Sequence, residues 1–326
     1  MYTLLLTLRD RLQHTESFFS YLTKINFAEK ILVADGSTDS GRLIAKKIIN
    51  KHPNLNIEYH DFGFDDSYEK YYKKFKIVMG LIKTKYVLFI DNDDFIHPEG
   101  CIESCQIMNA DPSIAACGRI SDLYIFPKIS SCKIRSSHSI FEEAPNKRIQ
   151  TFFNKPDAIW GLMLRVHGLL NAFNAVHAAN FKQLHLMELL FNLQVIQSGK
   201  IARIGSKPTL YRRAFAQESS SSADLMEYSL LDKIFIKNFN EQWTQVEKFY
   251  LNLGYEDLKA LRMYWCMACI SHTTSESKKR QRNQNRLYSQ KLSFLRSLYY
   301  KFRFRDPIPS QVLRAESLKI PSDRES

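Results

Sequence analysis

The sequence predicts an α/β fold built on a mostly parallel sheet, followed by a helical C-terminal region. Three observations carry this. Residues 2–126 alternate short apolar runs with amphipathic stretches, the pattern of strands joined by crossover helices. One of those runs, Tyr86–Ile90, is apolar throughout and ends in a burst of acids. From about Ala223 onward the periodicity is helical and no strand signal appears.

The elements follow in order. Tyr2–Leu8 reads as the first strand and Thr15–Ile25 as a helix. Lys30–Ala34 is the second strand, closed by Asp35-Gly36-Ser37. A helix then starts at Thr38 or Asp39, both good caps, and runs to about Lys51 before Pro53 stops it. Leu55–Tyr59 is the third strand, and Ser67–Ile82 a helix rich in Tyr and Lys. Tyr86–Ile90 is the fourth strand, with another helix from about Pro98. Beyond Ile114 the strands are less regular. Leu184–Ser198 reads as a helix, Gly199 as its end, and Ile201–Ile204 and Pro208–Arg213 as short extended runs.

A chain of 326 residues is long enough for a full α/β core and a second unit. With 44% hydrophobic and 25% charged residues the composition is globular rather than disordered. No stretch reaches the roughly 18 uncharged apolar residues of a membrane span. The nearest, from Ala158 to Phe181, is interrupted by Arg165 and His167. Tyr2–Leu8 is expected to be a buried strand and not a signal peptide, so the expectation is a soluble, cytoplasmic chain. Cys266 and Cys269 form a single C-x-x-C with no second pair, and are expected to pack in a core. His97, Cys101 and Cys105 line one helix face without a fourth ligand, which again points to packing.

The net charge of +12 is concentrated: residues 278–305 hold ten Lys or Arg and no acid. Within that segment Tyr288, Leu292, Leu295, Tyr299 and Phe302 form one helical stripe flanked by Lys291, Arg296 and Arg303. Such a helix suits an anionic membrane surface, with its basic tips on lipid phosphates; the bland alternative is packing against the main domain. No module for nucleic-acid binding accompanies the charge, so nucleic acid is not an expected partner.

The chemistry concentrates at Asp91-Asn92-Asp93-Asp94. In open α/β sheets ligands bind at the carboxyl ends of strands. Carboxylates at i and i+2 repel unless a cation lies between them. A hard divalent ion, Mg²⁺ or Mn²⁺, suits oxygen ligands and would also hold a diphosphate. A solvated strand-to-helix turn is the competing reading. Asp35-Gly36-Ser37 stands on the same sheet edge, where Asp35 can accept from a ribose or a base; alone it also reads as a turn.

Together these motifs resemble the family 2 glycosyltransferases of the GT-A fold, a Rossmann-like, mostly parallel sheet with flanking helices. The similarity is to a bacterial branch in which the first strand runs into L-T-L-x-x-R, here Leu6-Thr7-Leu8-Arg9-Asp10-Arg11. Val33-Ala34-Asp35-Gly36-Ser37 is similar to the family's V-D-D-G-S, with Ala34 in place of the first Asp. Tyr71-Tyr72-Lys73-Lys74, then Ile82-Lys83-Thr84-Lys85-Tyr86-Val87, then Asp91-Asn92-Asp93-Asp94-Phe95 look like successive signatures of that branch. The resemblance covers roughly residues 2–126 and thins afterwards.

The resemblance implies a domain at 1–218, with a nucleotide-binding half at 1–126 and an acceptor-side half at 127–218. A helical region at 223–305 and a flexible tail at 306–326 would follow. It implies that Thr7, Asp35, Lys74 and Asp91 contact the nucleotide sugar, and that Asp93 with Asp91 binds the metal and diphosphate. Losing the acid at Ala34 removes one polar contact to the base. In this family an inverting displacement needs a carboxylate base near a helix leading to a Gly and a final core strand. Glu188 fills that place, although the usual Glu-Asp pair is here Glu188-Leu189; Asp157 is the fallback. His185, Glu188 and Asn192 share one polar stripe, so His185 joins Trp160 as an acceptor-side candidate. Trp160 and Gly161 open a segment expected to cover the donor. Arg212, in Tyr211-Arg212-Arg213, could clamp diphosphate oxygens.

The implied activity is transfer of a hexose from a nucleotide diphosphate to a glycan or lipid-linked acceptor, in bacterial surface polysaccharide or lipopolysaccharide synthesis. Its place would be the inner face of the cytoplasmic membrane. Two competitors remain: a phosphohydrolase with Asp91 as nucleophile and Asp93 as acid, and an inactive, membrane-associated sugar-nucleotide binder.

Overall fold

The computed structural model describes residues 1–125, 130–135, 137–154, 157–179 and 184–213, and beyond them only 243–244, 247–248, 251 and 262. The expected helical region at 223–305, its basic segment at 278–305, Cys266 and Cys269 therefore lie essentially outside the described residues.

The chain forms a mixed α/β structure on a mainly parallel, seven-stranded sheet with flanking helices. Its strands are β1 (Tyr2–Leu8), β2 (Lys30–Asp35), β3 (Ile57–Asp61), β4 (Tyr86–Asp91), β6 (Ile114–Cys117), β9 (Met163–Arg165) and β10 (Lys200–Ala202). Their order is β10-β6-β9-β4-β1-β2-β3. Only β9 runs antiparallel to its neighbours, β4 and β6. A second, four-stranded sheet has the order β5-β11-β7-β8, made of Phe95–Ile96, Leu210–Arg213, Ile120–Ile125 and Ser130–Ile134 respectively.

Strand alternation places the core on both faces of the large sheet. On β1, Leu5 packs with Leu32, Val87 and Phe89 on one face. Leu4 and Leu6 pack with Ile31, Val33, Leu88 and Ile90 on the other. Helices α1 (Leu12–Lys24), α2 (Asp39–Asn50) and α4 (Pro98–Ala110) supply the second group, through Phe18, Phe19, Ala45 and Met108. Helices α3 (Tyr68–Leu81), α5 (Pro145–Asn154), α6 (Val166–Ala179) and α7 (Leu184–Ser198) supply the first. Phe89 is ringed there by Trp160 at 4.7 Å, Phe173 at 5.7 Å, Phe75 at 5.8 Å and Phe191 at 6.0 Å.

Helix starts follow local chemistry. Thr38 caps α2 by accepting from Gly41 N, and Ser67 caps α3 by accepting from Lys70 N. His97 caps α4 through its ring, with Pro98 in the first turn, and Cys101 and Cys105 are fully buried core residues. The face of His97, Cys101 and Cys105 is thus packing.

Several boundaries differ from the sequence expectation. α1 starts at Leu12, not Thr15, because left-handed backbone at Arg11 turns the chain directly into the helix. β3 runs from Ile57 to Asp61, not 55–59, because a turn persists through Leu55 (Leu55 N to His52 O, 3.1 Å). The segment beginning at Trp160 contributes β9, which the sequence does not announce, between β4 and β6. Among the described residues no helix is long and apolar enough to cross a membrane.

Candidate nucleotide and metal site

β1, β2 and β4 end together. Thr7 lies in register with Ala34 on one side and Asp91 on the other, and Leu8 with Asp35. The carboxyl ends of β2 and β4 therefore flank β1 and present Asp35 and Asp91 to one edge, the edge at which such sheets bind ligands.

Asp91, Asp93 and Asp94 bring carboxylate oxygens within 4.8 Å of one another. Oxygen donors at that spacing fit a hard divalent cation. Thr7 Oγ1 donates to Asp91 Oδ1 at 3.3 Å. Arg11 Nη1 donates to Asp93 Oδ2 at 3.0 Å, and Arg212 Nε stands 4.0 Å from Asp94 Oδ2. The intervening Asn92 is buried and turns away from the cluster. Its amide donates to the carbonyls of Asp10 (3.2 Å) and Arg11 (3.1 Å) and to Thr15 Oγ1 (2.9 Å), which ties the acidic turn to the β1–α1 loop.

Burial first, and Asp93 second, push the Asp91 carboxyl up from 3.8 to about 6, against the pull of Arg212, Arg11 and Thr7. Burial also raises Asp94 well above the ordinary carboxylate range, with Arg212 opposing. Folded, these groups hold protons that the unfolded chain releases. For Asp91 the stabilising contribution is complete below pH 3.8 and is lost as pH rises through about 6; for Asp94 it persists to higher pH. A divalent cation would replace those protons. The rise in melting temperature caused by Mn²⁺ is therefore expected to be small near about pH 5 and largest above about pH 7. A rise of equal size at both, in a scan across that window, would break the link between cation and carboxylates.

At the end of β2 the side chain of Asp35 is fully buried. It accepts from Ser37 N at 2.8 Å and from the Tyr59 hydroxyl at 2.7 Å. Gly36 is needed here. A Cβ at this position would lie 1.9 Å from the Asp65 carboxylate, which packs directly over the Gly36 backbone. Asp65 in turn pairs with Lys74, and both are buried. Burial pushes the Lys74 ammonium down and the Asp65 carboxyl up, and each partner's charge opposes the other's shift. The Lys74 ammonium also lies 5.1 Å from the Tyr71 ring centroid.

Tyr71 links the parts of this edge. Burial raises its hydroxyl pKa, as do the charges of Asp91, Glu188 and Asp65, and the hydroxyl bonds with Thr7. Glu188 itself is exposed on α7, within electrostatic reach of that hydroxyl. Asp157 caps its own turn through Ala158 N and stands 3.6 Å from the buried Arg203 guanidinium.

The structure thus gathers Thr7, Asp91, Asp93 and Arg212 at one cluster, and Asp35 and Lys74 at the adjoining strand end. Trp160 is half-buried, its ring against Phe75, Phe89 and Phe191, so packing accounts for it better than an open stacking platform. Its carbonyl accepts from Arg212 Nη2 at 3.3 Å. The side chain of His185 lies outside the described residues. Sequence reasoning gave no role to Arg11, Asp65, Tyr71 or Asp94. Asp94 and Arg11 stand inside motifs already singled out. Asp65 carries no local signal, because its position depends on the chain returning across Gly36.

No family model matches the chain, and a search of curated proteins finds no match. Among solved structures, residues 1–349 of S. aureus TarS are similar at 13% identity and a TM-score of 0.48, over 75% of this chain and 65% of that one. The chain therefore spans about two thirds of that neighbour's length. The bifunctional glycosyltransferase WbbM, in its apo form, is similar at 11% identity and a TM-score of 0.38, over 62% of this chain and 38% of that one. Glucosyl-3-phosphoglycerate synthase from Mycobacterium tuberculosis, solved with Mn²⁺, UDP and phosphoglyceric acid, is similar at 12% identity and a TM-score of 0.36, over 62% of this chain and 67% of that one. Scores and identities this low transfer neither donor nor mechanism, and the site's chemistry rests on its own residues.

Proposed function

We propose that the protein is a metal-dependent, inverting glycosyltransferase of the hexosyl type, moving a sugar from a nucleotide diphosphate to a glycan or lipid-linked acceptor. The observation that carries the reading is the triad of Asp91, Asp93 and Asp94, closed to within 4.8 Å at the end of β4 and adjoined across β1 by Asp35. Three acids this close, with Arg11 and Arg212 beside them, suit an ion that bridges protein to phosphate. The family 2 motifs in the sequence point the same way.

In this reading Asp93 and Asp91 hold Mg²⁺ or Mn²⁺, which when bound offsets negative charge on the departing diphosphate. Asp35 accepts from the ribose or base, and Lys74, paired with Asp65, brings its positive charge to the nucleotide at that strand end. Thr7 orients Asp91. Arg212 adds a second positive charge to the diphosphate region. Glu188 takes the acceptor's proton. The acceptor is assigned to bacterial surface polysaccharide or lipopolysaccharide assembly. The proposed place is the cytoplasmic membrane face, held there by residues 278–305.

The phosphohydrolase alternative needs Asp91 as an ionised nucleophile. Release of phosphate from a generic aryl phosphate, lost in Asp91→Asn, would favour that alternative over sugar transfer. The proposed reading is tested by a thermal-shift screen of nucleotide sugars with and without Mn²⁺. One donor is expected to raise the melting temperature only when the metal is present. No response to any nucleotide sugar in Mn²⁺ would overturn it.

A further inference from the structure

The β1–α1 loop brings a cation of the chain's own to the acidic cluster. Asp10 and Arg11 both have left-handed backbone, φ 59° and 55°. Two successive side-chain-bearing residues in this region are unfavourable unless their surroundings hold them there. Three residues do so, through four hydrogen bonds. Asn92 donates to both carbonyls, Ser37 Oγ accepts from Asp10 N at 2.7 Å, and the Asp10 carboxylate accepts from Thr38 Oγ1 at 2.8 Å. The backbone of Arg11 is thus pinned between the ends of β2 and β4. Its side chain is not: it remains 29% exposed, and its guanidinium ends on Asp93, which is only 9% exposed.

We propose that Arg11 is a displaceable placeholder: its guanidinium and an incoming divalent cation are alternative partners of the Asp93 carboxylate, so Arg11 sets the site's affinity for the cation. The inference rests on the metal reading above. Three carboxylates within 4.8 Å need counter-charge when no metal is bound, and Arg11 supplies it at Asp93. A guanidinium is more weakly hydrated than an ammonium, so it pairs well with a half-dry carboxylate. Once a divalent ion takes the same oxygen, Arg11 becomes a like charge beside it. A long side chain on a fixed backbone can swing to solvent without disturbing the loop.

Calorimetric titration of the full chain with Mn²⁺ alone tests this. Arg11→Gln is expected to bind Mn²⁺ roughly tenfold more tightly than wild type, since no charge-assisted hydrogen bond must be given up. Its melting temperature without metal should fall, and the rise on adding Mn²⁺ should grow. Should that variant fail to fold, Arg11→Lys carries the comparison. Its more strongly hydrated ammonium is a poorer placeholder, so it should bind a few-fold more tightly than wild type. Equal or weaker binding in a folded Arg11 variant, with wild type binding normally, overturns displacement and leaves the metal site standing. An equal gain in Arg212→Gln, whose guanidinium stands by Asp94, would reduce the effect to a general field and overturn it as well. No Mn²⁺ uptake by wild type or Arg11→Gln removes the metal reading and this inference with it.

Discussion

Asp93→Ala is expected to lower sugar transfer and donor hydrolysis by at least roughly a thousandfold, the several kcal/mol that a metal's charge contributes to a departing diphosphate. The same change should barely move the melting temperature. Asp93 is one of three acids packed together, and its charge is the second-largest cause of the raised Asp91 carboxyl. Removing it relieves repulsion at Asp91 and Asp94. It also frees Arg11, a partly exposed side chain that water can solvate. Those two effects oppose each other, and neither touches the apolar faces of the sheet. Activity assays beside circular dichroism and a melting curve make the comparison. Turnover near the wild-type level would discard the mechanism, and a collapsed fold would mean that the cluster is a structural element.

The parts of this molecule legible in its sequence are those whose cause is local. β1 matches its expected bounds, and β4 gains only Asp91, because apolar runs bounded by charge have few other places to go. Asp35 and Asp91 stand at the strand ends where the sequence places them, and Asp93 follows directly, since a strand end is marked by its own residues. β9 was missed. It is three residues long, sits inside a longer apolar stretch, and pairs with strands from elsewhere in the chain. The second sheet was missed likewise, because β5 has two residues and finds its partner, β11, over a hundred positions away. Asp65 belongs with these. Nothing around it marks a site until the chain folds back and sets its carboxylate against Gly36. Trp160 is the reverse case: its sequence neighbours suggest an acceptor contact, and its half-buried ring lies against three phenylalanines that the sequence does not place beside it.

Glu188→Gln should separate binding from chemistry. The amide keeps the size of the side chain and cannot take a proton, so turnover is expected to fall roughly a hundred- to ten-thousandfold, the usual worth of a positioned general base. Donor binding in Mn²⁺ should be unchanged, because Asp35, Lys74, Asp91 and Asp93 are untouched. Glu188 is favoured over Asp157 by its surroundings. Glu188 is exposed on α7, and its charge is felt at the Tyr71 hydroxyl, which bonds with Thr7 beside Asp91. Asp157 stands 3.6 Å from a buried arginine whose own guanidinium braces the Ala158 carbonyl. A carboxylate held in that way supports the loop that carries Trp160, and a proton taken there would cost the ion pair. Single-turnover rates for the two variants decide between them. If Asp157→Asn is the one that stops transfer while Glu188→Gln runs normally, the base belongs to the loop before β9, and the acceptor must approach from that side of the sheet.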